Sequence, residues 1–139
     1  ALRVRGTEAA LAHVGDSRIY LLRGGRLRAL TLDHSMVADL VAYRRLSRAA
    51  ALRHPQRHVI TRALGVQPVL EPDVGSLLLE PGDLFLLCTD GISSALDDDE
   101  IAEVLRAADP ALEGAADRLI ALANDRGGDD NATVILVRP

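Results

Sequence analysis

Lysine is absent from this 139-residue chain, so all sixteen of its basic residues are arginine. That removes lysine nucleophiles, Schiff bases and the phosphate-loop lysine. Aromatic residues make up 2% of the chain, with no tryptophan, and provide almost no material for stacking nucleic-acid bases. The single cysteine, Cys88, can form no internal disulfide and no thiolate zinc cluster. Apolar runs such as Leu84 to Cys88 fall far short of the roughly 20 residues that cross a bilayer. The N-terminus lacks the basic-then-apolar pattern of a secretion signal. A soluble, cytoplasmic protein with no nucleic-acid or membrane contact is expected.

Hydrophobic residues make up 48% and charged residues 26%, the profile of one globular domain over residues 1–139. Charge is unevenly placed. Residues 1–62 hold 12 Arg and 4 acids, residues 63–139 hold 4 Arg and 16 acids, and the sum is the net -4. The two halves can pair with each other, or the basic half can meet an anionic partner.

Period-two apolar patterns predict strands over Ala9 to Val14, Arg18 to Leu22 and Arg26 to Thr31, the last two joined by the hairpin signal Gly24-Gly25. Helical spacing over Ser35 to Leu52 predicts a helix burying Met36, Leu40, Val41, Leu46 and Leu52, ended by His54-Pro55. Strands follow over Val74 to Leu79 and Leu84 to Thr89, separated by a Pro81-Gly82-Asp83 turn. Asp97 with Glu100 reads as a capping box opening a helix to about Ala107. A second helix runs from Pro110 to Asn124, stopped at Arg126-Gly127-Gly128, and Ala132 to Val137 is a final strand. The order predicts an α+β domain with largely antiparallel sheet.

Asp16, Asp90 and Asp130 each stand where an apolar strand meets a glycine-bearing turn. If those ends converge, each carboxylate pair at about 4 Å costs roughly 4 kcal/mol at an effective dielectric near 20. A divalent cation is the usual compensation, and oxygen ligands completed by water suit magnesium or manganese. Two such ions about 3.5–4 Å apart can activate water and clamp a phosphoryl group without a protein nucleophile. Ser17 and Ser93 sit in no Gly-x-Ser-x-Gly elbow. The four histidines show no His-x-x-x-His helix pattern, and His13 reads as a hydrogen-bonded packing residue on a strand. The basic run Arg44, Arg45, Arg48, Arg53 and Arg57 reads as a solvated face or as a contact for phosphopeptides.

The ordered series Ala12-His13-Val14-Gly15-Asp16-Ser17-Arg18, His54-Pro55-Gln56-Arg57, Thr61-Arg62-Ala63-Leu64-Gly65, Pro81-Gly82-Asp83, Leu86-Leu87-Cys88-Thr89-Asp90-Gly91 and Gly128-Asp129-Asp130-Asn131-Ala132-Thr133-Val134 resembles bacterial metal-dependent protein phosphatases of the PP2C (PPM) family. The resemblance spans essentially the whole chain. It implies part of a four-layer αββα sandwich of mostly antiparallel sheets, with two or three Mn2+ or Mg2+ ions per complete domain. The implied activity is hydrolysis of phosphoserine and phosphothreonine by metal-activated water. Asp90 and Asp130 match the family's core metal ligands, and Asp16 the aspartate of a more weakly held metal. Gly91 lets the turn pack close, Asn131 and Thr133 support the Asp130 loop, and Asp129 is a second-rank candidate.

The implied partners are phosphorylated proteins and a bacterial-type serine/threonine kinase. Residues from about Met36 to Arg57 match the family's flap, but Tyr43-Arg44-Arg45-Leu46-Ser47-Arg48 departs from the Gly-Arg-Ile-Thr type of sequence found there. The family's phosphate-binding arginine, its Glu-Asp pair and its metal-bridging Asp-Gly loop have no match. The chain is therefore expected to be an N-terminally incomplete domain, weakly active alone. The alternative is a non-catalytic PP2C-like module that binds phosphoproteins or regulators.

Overall fold

The computed structural model describes residues 1–51, 53–66, 68–108 and 112–139, with Arg48 described by its backbone alone. The elements are β1 (Leu2–Arg5), β2 (Glu8–His13), β3 (Arg18–Arg23), β4 (Arg26–Ala29), α1 (Met36–Ala42), α2 (Arg48–Ala51), β5 (Asp73–Leu78), β6 (Leu84–Cys88), α3 (Asp90–Ser93), α4 (Asp98–Arg106), α5 (Leu112–Asp125) and β7 (Val134–Val137). They form two sheets, ordered β1-β2-β5 and β4-β3-β6-β7, with every pairing antiparallel. The fold is α+β, as expected from the order of elements.

The period-two pattern explains how the layers stack. On β3, Tyr20 and Leu22 face the helices while Ile19 and Leu21 face the other sheet. On β6, Leu84, Leu86 and Cys88 take the helix side, and Phe85 with Leu87 the sheet side. Strands apolar on both faces belong in the middle of a sandwich. Ala9, Leu11 and Leu77 of the three-stranded sheet close the inter-sheet core, whereas Val74 and Leu78 point outward and are exposed. The described residues thus stack as helices, four-stranded sheet, three-stranded sheet.

Local signals set the hairpins and helix ends. Gly24 and Gly25 both have positive φ (54° and 73°), the geometry a two-residue turn between twisted strands requires. Asp97 and Glu100 form the expected reciprocal capping box of α4. α5 buries Ala115, Leu119 and Ala123, spaced by four residues along one face. It closes with Gly127 donating its N–H to Asn124 and Gly128 donating to Ala123. Asp83, fully buried, accepts from Arg23 at both carboxylate oxygens (2.7 Å each) and ties the β5–β6 turn to β3. This pair also joins the basic half of the sequence to the acidic half.

One expected element is different. The predicted helix from Ser35 to Leu52 is two short helices, α1 and α2, parted by a turn in which Arg44 has φ 56°. α1 buries no residue fully, so Met36, Leu40 and Val41 are not core positions, and neither is Leu46, which is half-buried. Leu52 and Pro110, on which two other expectations rested, lie outside the described residues. The spacing was helical, but a left-handed residue cannot continue a right-handed helix. Ser47 instead caps a new start by accepting the Ala50 N–H at 3.2 Å. Farther along, Ile60 makes a single antiparallel bridge to Ser35.

Candidate metal centre

Three chain segments converge because β3, β6 and β7 are neighbours. Arg18 opens β3 opposite Cys88, which ends β6, and Cys88 also faces Val134, which opens β7. The turn before β3, the chain after β6 and the loop before β7 therefore meet at one sheet end. These carry Asp16, Asp90 and Asp130.

Thr89 clamps two of the segments. Its hydroxyl donates to the Asn131 carbonyl and accepts the Thr133 N–H, both at 3.0 Å, and its own N–H donates to the Thr133 carbonyl at 3.2 Å. Asp90 then opens the short helix α3, where an expected turn is in fact one helical turn. A side chain at Gly91 would not fit: a Cβ there would lie 2.6 Å from the Asn131 carbonyl oxygen. Asn131 N–H donates to Asp130 Oδ1 at 2.7 Å. The Asp129 carboxylate lies against Gly127, its Oδ1 3.2 Å from where a Cβ on that glycine would stand.

The three carboxylates share one electrostatic field. Burial, followed by the charges of Asp16 and Asp130, holds the Asp90 carboxyl above its ordinary pKa. The same groups do not gather into one tight cage. Among the described residues, the group of three with ligand atoms all within 4.8 Å is His13, His34 and Asp73. Repelling carboxylates at wider spacing suit a hard cation that retains waters in its shell, so the donor set fits Mg2+ or Mn2+. Arg18, two residues after Asp16, is engaged: it binds both oxygens of Asp33 (2.8 and 2.7 Å) and the Tyr20 hydroxyl (2.9 Å).

The histidine group was not foreseen, because its members lie 21 and 39 residues apart with no periodic signal between them. β2–β5 pairing sets His13 opposite Asp73, and the His13 ring packs against His34 with centroids 4.7 Å apart. His13 is a buried strand residue as expected; the Ser17 backbone lies close enough to act on the ring, but neither ring nitrogen has a well-formed hydrogen bond. Burial, and then the neighbouring His34, push its pKa down, which keeps the ring neutral. His34 Nδ1 accepts the Gly15 N–H at 3.2 Å, so the ring proton of neutral His34 resides on Nε2. That nitrogen lies 3.1 Å from Asp73 Oδ2, a charge contact whose angle is poorer than a well-formed hydrogen bond, and offers no lone pair to a cation. The arrangement is a polar brace beside the Asp16 turn.

The segment between β4 and β5 is rooted on this brace. His34 donates its N–H to the Gly15 carbonyl and accepts the Thr61 N–H, both at 2.8 Å, while Met36 donates to Val59 at 2.9 Å. Residues 36–60 therefore leave and rejoin the body directly beside Asp16. Arg44, Arg45, Arg53 and Arg57 on this excursion are exposed, and residues 40–70 contain no acidic residue.

A family model described as Protein phosphatase 2C matches residues 2–132. Protein phosphatase PhpP of Streptococcus pneumoniae is 39% identical over 136 residues, which is 98% of this chain and 55% of that protein. Serine/threonine phosphatase stp of Listeria monocytogenes is 40% identical over 131 residues, 94% of this chain and 52% of its own length. The crystal structure of the Mycobacterium tuberculosis serine/threonine phosphatase PstP/Ppp matches with a TM-score of 0.91 at 41% identity, covering 97% of this chain and 56% of that one. The catalytic domain of PstP in complex with two manganese ions matches with a TM-score of 0.86 at 38% identity, covering 97% and 55%. The chain spans about half the length of the curated relatives it matches.

Proposed function

This chain belongs to the protein phosphatase 2C family, and on that premise we propose that it serves metal-dependent hydrolysis of phosphoserine and phosphothreonine in proteins. The observation that carries the reading is the Asp90 carboxyl, raised by burial and by two further carboxylates delivered from adjacent strand ends. Uncompensated, that repulsion serves no structural purpose. Asp16, Asp90 and Asp130 would hold Mn2+ or Mg2+, with Gly91 allowing the close packing and Asn131 and Thr133 supporting the Asp130 loop. A bound ion of this kind supplies an acidified water and offsets phosphate charge. Asp129, lying against Gly127, is left a minor part.

The residues themselves orient. Thr89 fixes the Asp90 and Asp130 segments relative to each other, which keeps their oxygens from relaxing apart. Cys88 takes no part, since burial in β6 pushes its thiol up to about 11. On this reading the partners are phosphorylated proteins and the serine/threonine kinase that makes them, and the setting is cytoplasmic. No helix among the described residues is long and apolar enough to cross a membrane.

The test is manganese-dependent phosphate release from a phosphothreonine peptide, with chelator and Asp90→Asn as controls. Release that both controls abolish supports the phosphatase reading. Tight binding of the phosphopeptide without release would favour a phosphoprotein-binding module, and neither binding nor release would overturn both.

A further inference from the structure

One polar chain runs from the root of the 36–60 excursion to the Asp16 turn. Arg62 Nη1 lies 2.9 Å from Asp73 Oδ1, and Asp73 Oδ2 lies 3.1 Å from His34 Nε2. His34 then holds Gly15 twice, its Nδ1 accepting the Gly15 N–H at 3.2 Å and its own N–H donating to the Gly15 carbonyl at 2.8 Å. Both polar groups of the residue preceding Asp16 are thus satisfied by one buried side chain and its backbone. Gly15 has φ 104°, a conformation that glycine reaches without steric cost and that a residue with a Cβ would disfavour. The His13 ring, packed against His34, blocks that ring from swinging aside.

We infer that His34 and Asp73 are positioning residues that fix the Asp16 turn for cation binding, with Asp73 orienting the His34 ring and Arg62 orienting Asp73. The inference rests on the reading of Asp16, Asp90 and Asp130 as a cation centre. The Gly15 N–H demands an acceptor at Nδ1, and this sends the ring proton to the side where Asp73 stands. Asp73 is well placed for that role. Contact with His34, then with Arg62, holds its carboxyl below the usual range, so it is a full negative charge at neutral pH. Partners one shell out from a metal ligand set the ligand's orientation, and losing them weakens metal affinity by about 10- to 100-fold. The excursion is coupled to the same brace, because Thr61 hangs from the His34 carbonyl.

The test is a titration of the full 139-residue chain with Mn2+, reading free ion by electron paramagnetic resonance, alongside the melting temperature without metal. His34→Leu keeps the bulk and removes both nitrogens. His34→Asn keeps an acceptor near the Nδ1 position but cannot reach Asp73. Arg106→Ala is the stability control, since it removes a hydrogen bond to Gly25 at the opposite end of β3.

Mn2+ affinity is expected to fall about tenfold in His34→Leu, to recover in part in His34→Asn and to stay level in Arg106→Ala whatever its melting temperature. An affinity for His34→Leu within about twofold of the parent chain overturns the inference. If His34→Leu does not fold, Asp73→Asn carries the same comparison. Asp90→Asn separates the two levels: unchanged Mn2+ binding there, or no binding by the parent, removes the cation-centre reading and this inference with it. Loss in Asp90→Asn with no effect in His34→Leu removes the inference alone. A metal-free readout is hydrogen exchange at the Gly15 amide, expected to speed up in Asp73→Asn. An unchanged rate overturns the orienting role of Asp73.

Discussion

The α-carbon of Gly91 faces the Asn131 carbonyl so closely that a methyl group in place of its hydrogen would stand 2.6 Å from the oxygen. Backbone meets backbone here, so no flexible side chain can yield. Gly91→Ala is expected to destabilise the fold by about 2 kcal/mol through overpacking and to push the Asp130 loop away from Asp90. Chemical denaturation reads the first effect. Weaker Mn2+ binding in the same variant reads the second, and a variant as stable as the parent would show that the loop moves freely.

Asp90 acts against the fold when no cation is present. Its folded pKa is raised, so its ionised form costs stability at any pH above the ordinary carboxylate range. Asp90→Asn removes that charge and is expected to stabilise the metal-free chain modestly, solvent screening of a half-exposed group limiting the gain. The rise in melting temperature that Mn2+ gives the parent should vanish in the same variant. Thermal melts with and without Mn2+ check both parts, and a less stable metal-free variant would contradict the first.

His13 predicts a pH dependence. Its folded pKa is below the ordinary 6.5, so the unfolded chain takes up a proton first as pH falls. The stability it contributes is complete above about 6.5 and is lost as pH drops from there through the lowered folded value. His13→Gln should flatten that part of the stability profile in urea melts from pH 7.5 to 5. A parent curve without a slope in that window would place a hydrogen-bond partner on His13 in solution.

Arg44 holds φ 56° between α1 and α2, a region that disfavours side chains with a Cβ by about 1 kcal/mol. Arg44→Gly is expected to recover about that much stability, whereas Arg44→Ala, which keeps the Cβ, should not. Urea unfolding midpoints for the pair isolate backbone strain from charge. Equal midpoints would show that the turn adopts another conformation.

The sequence was legible wherever one local rule decided the outcome. Gly24-Gly25 implied its hairpin, Asp97 with Glu100 its capping box, and the two-faced apolar run Leu84 to Cys88 a central strand. The excursion after Ser35 is not legible locally, because apolar spacing there is helical, yet the residue that breaks the helix is an arginine, and no propensity scale places arginine in the left-handed region. Asp16, Asp90 and Asp130 stood out as strand-end carboxylates, and the ordered motif series tied them together. His34 and Asp73 did not stand out, for each has an ordinary local setting.

Residue order alone determined most of the strands, the two C-terminal helices, the kind of layered domain they build, and three carboxylates at three turns, because these follow from short-range periodicity and turn chemistry. Tertiary structure decided what faces what. Setting β3, β6 and β7 side by side brought the carboxylates into one field, and pairing β2 with β5 put Asp73 within reach of His34. Contacts across 39 to 114 residues depend on strand register, and register is chosen by the whole core at once rather than by any window of sequence.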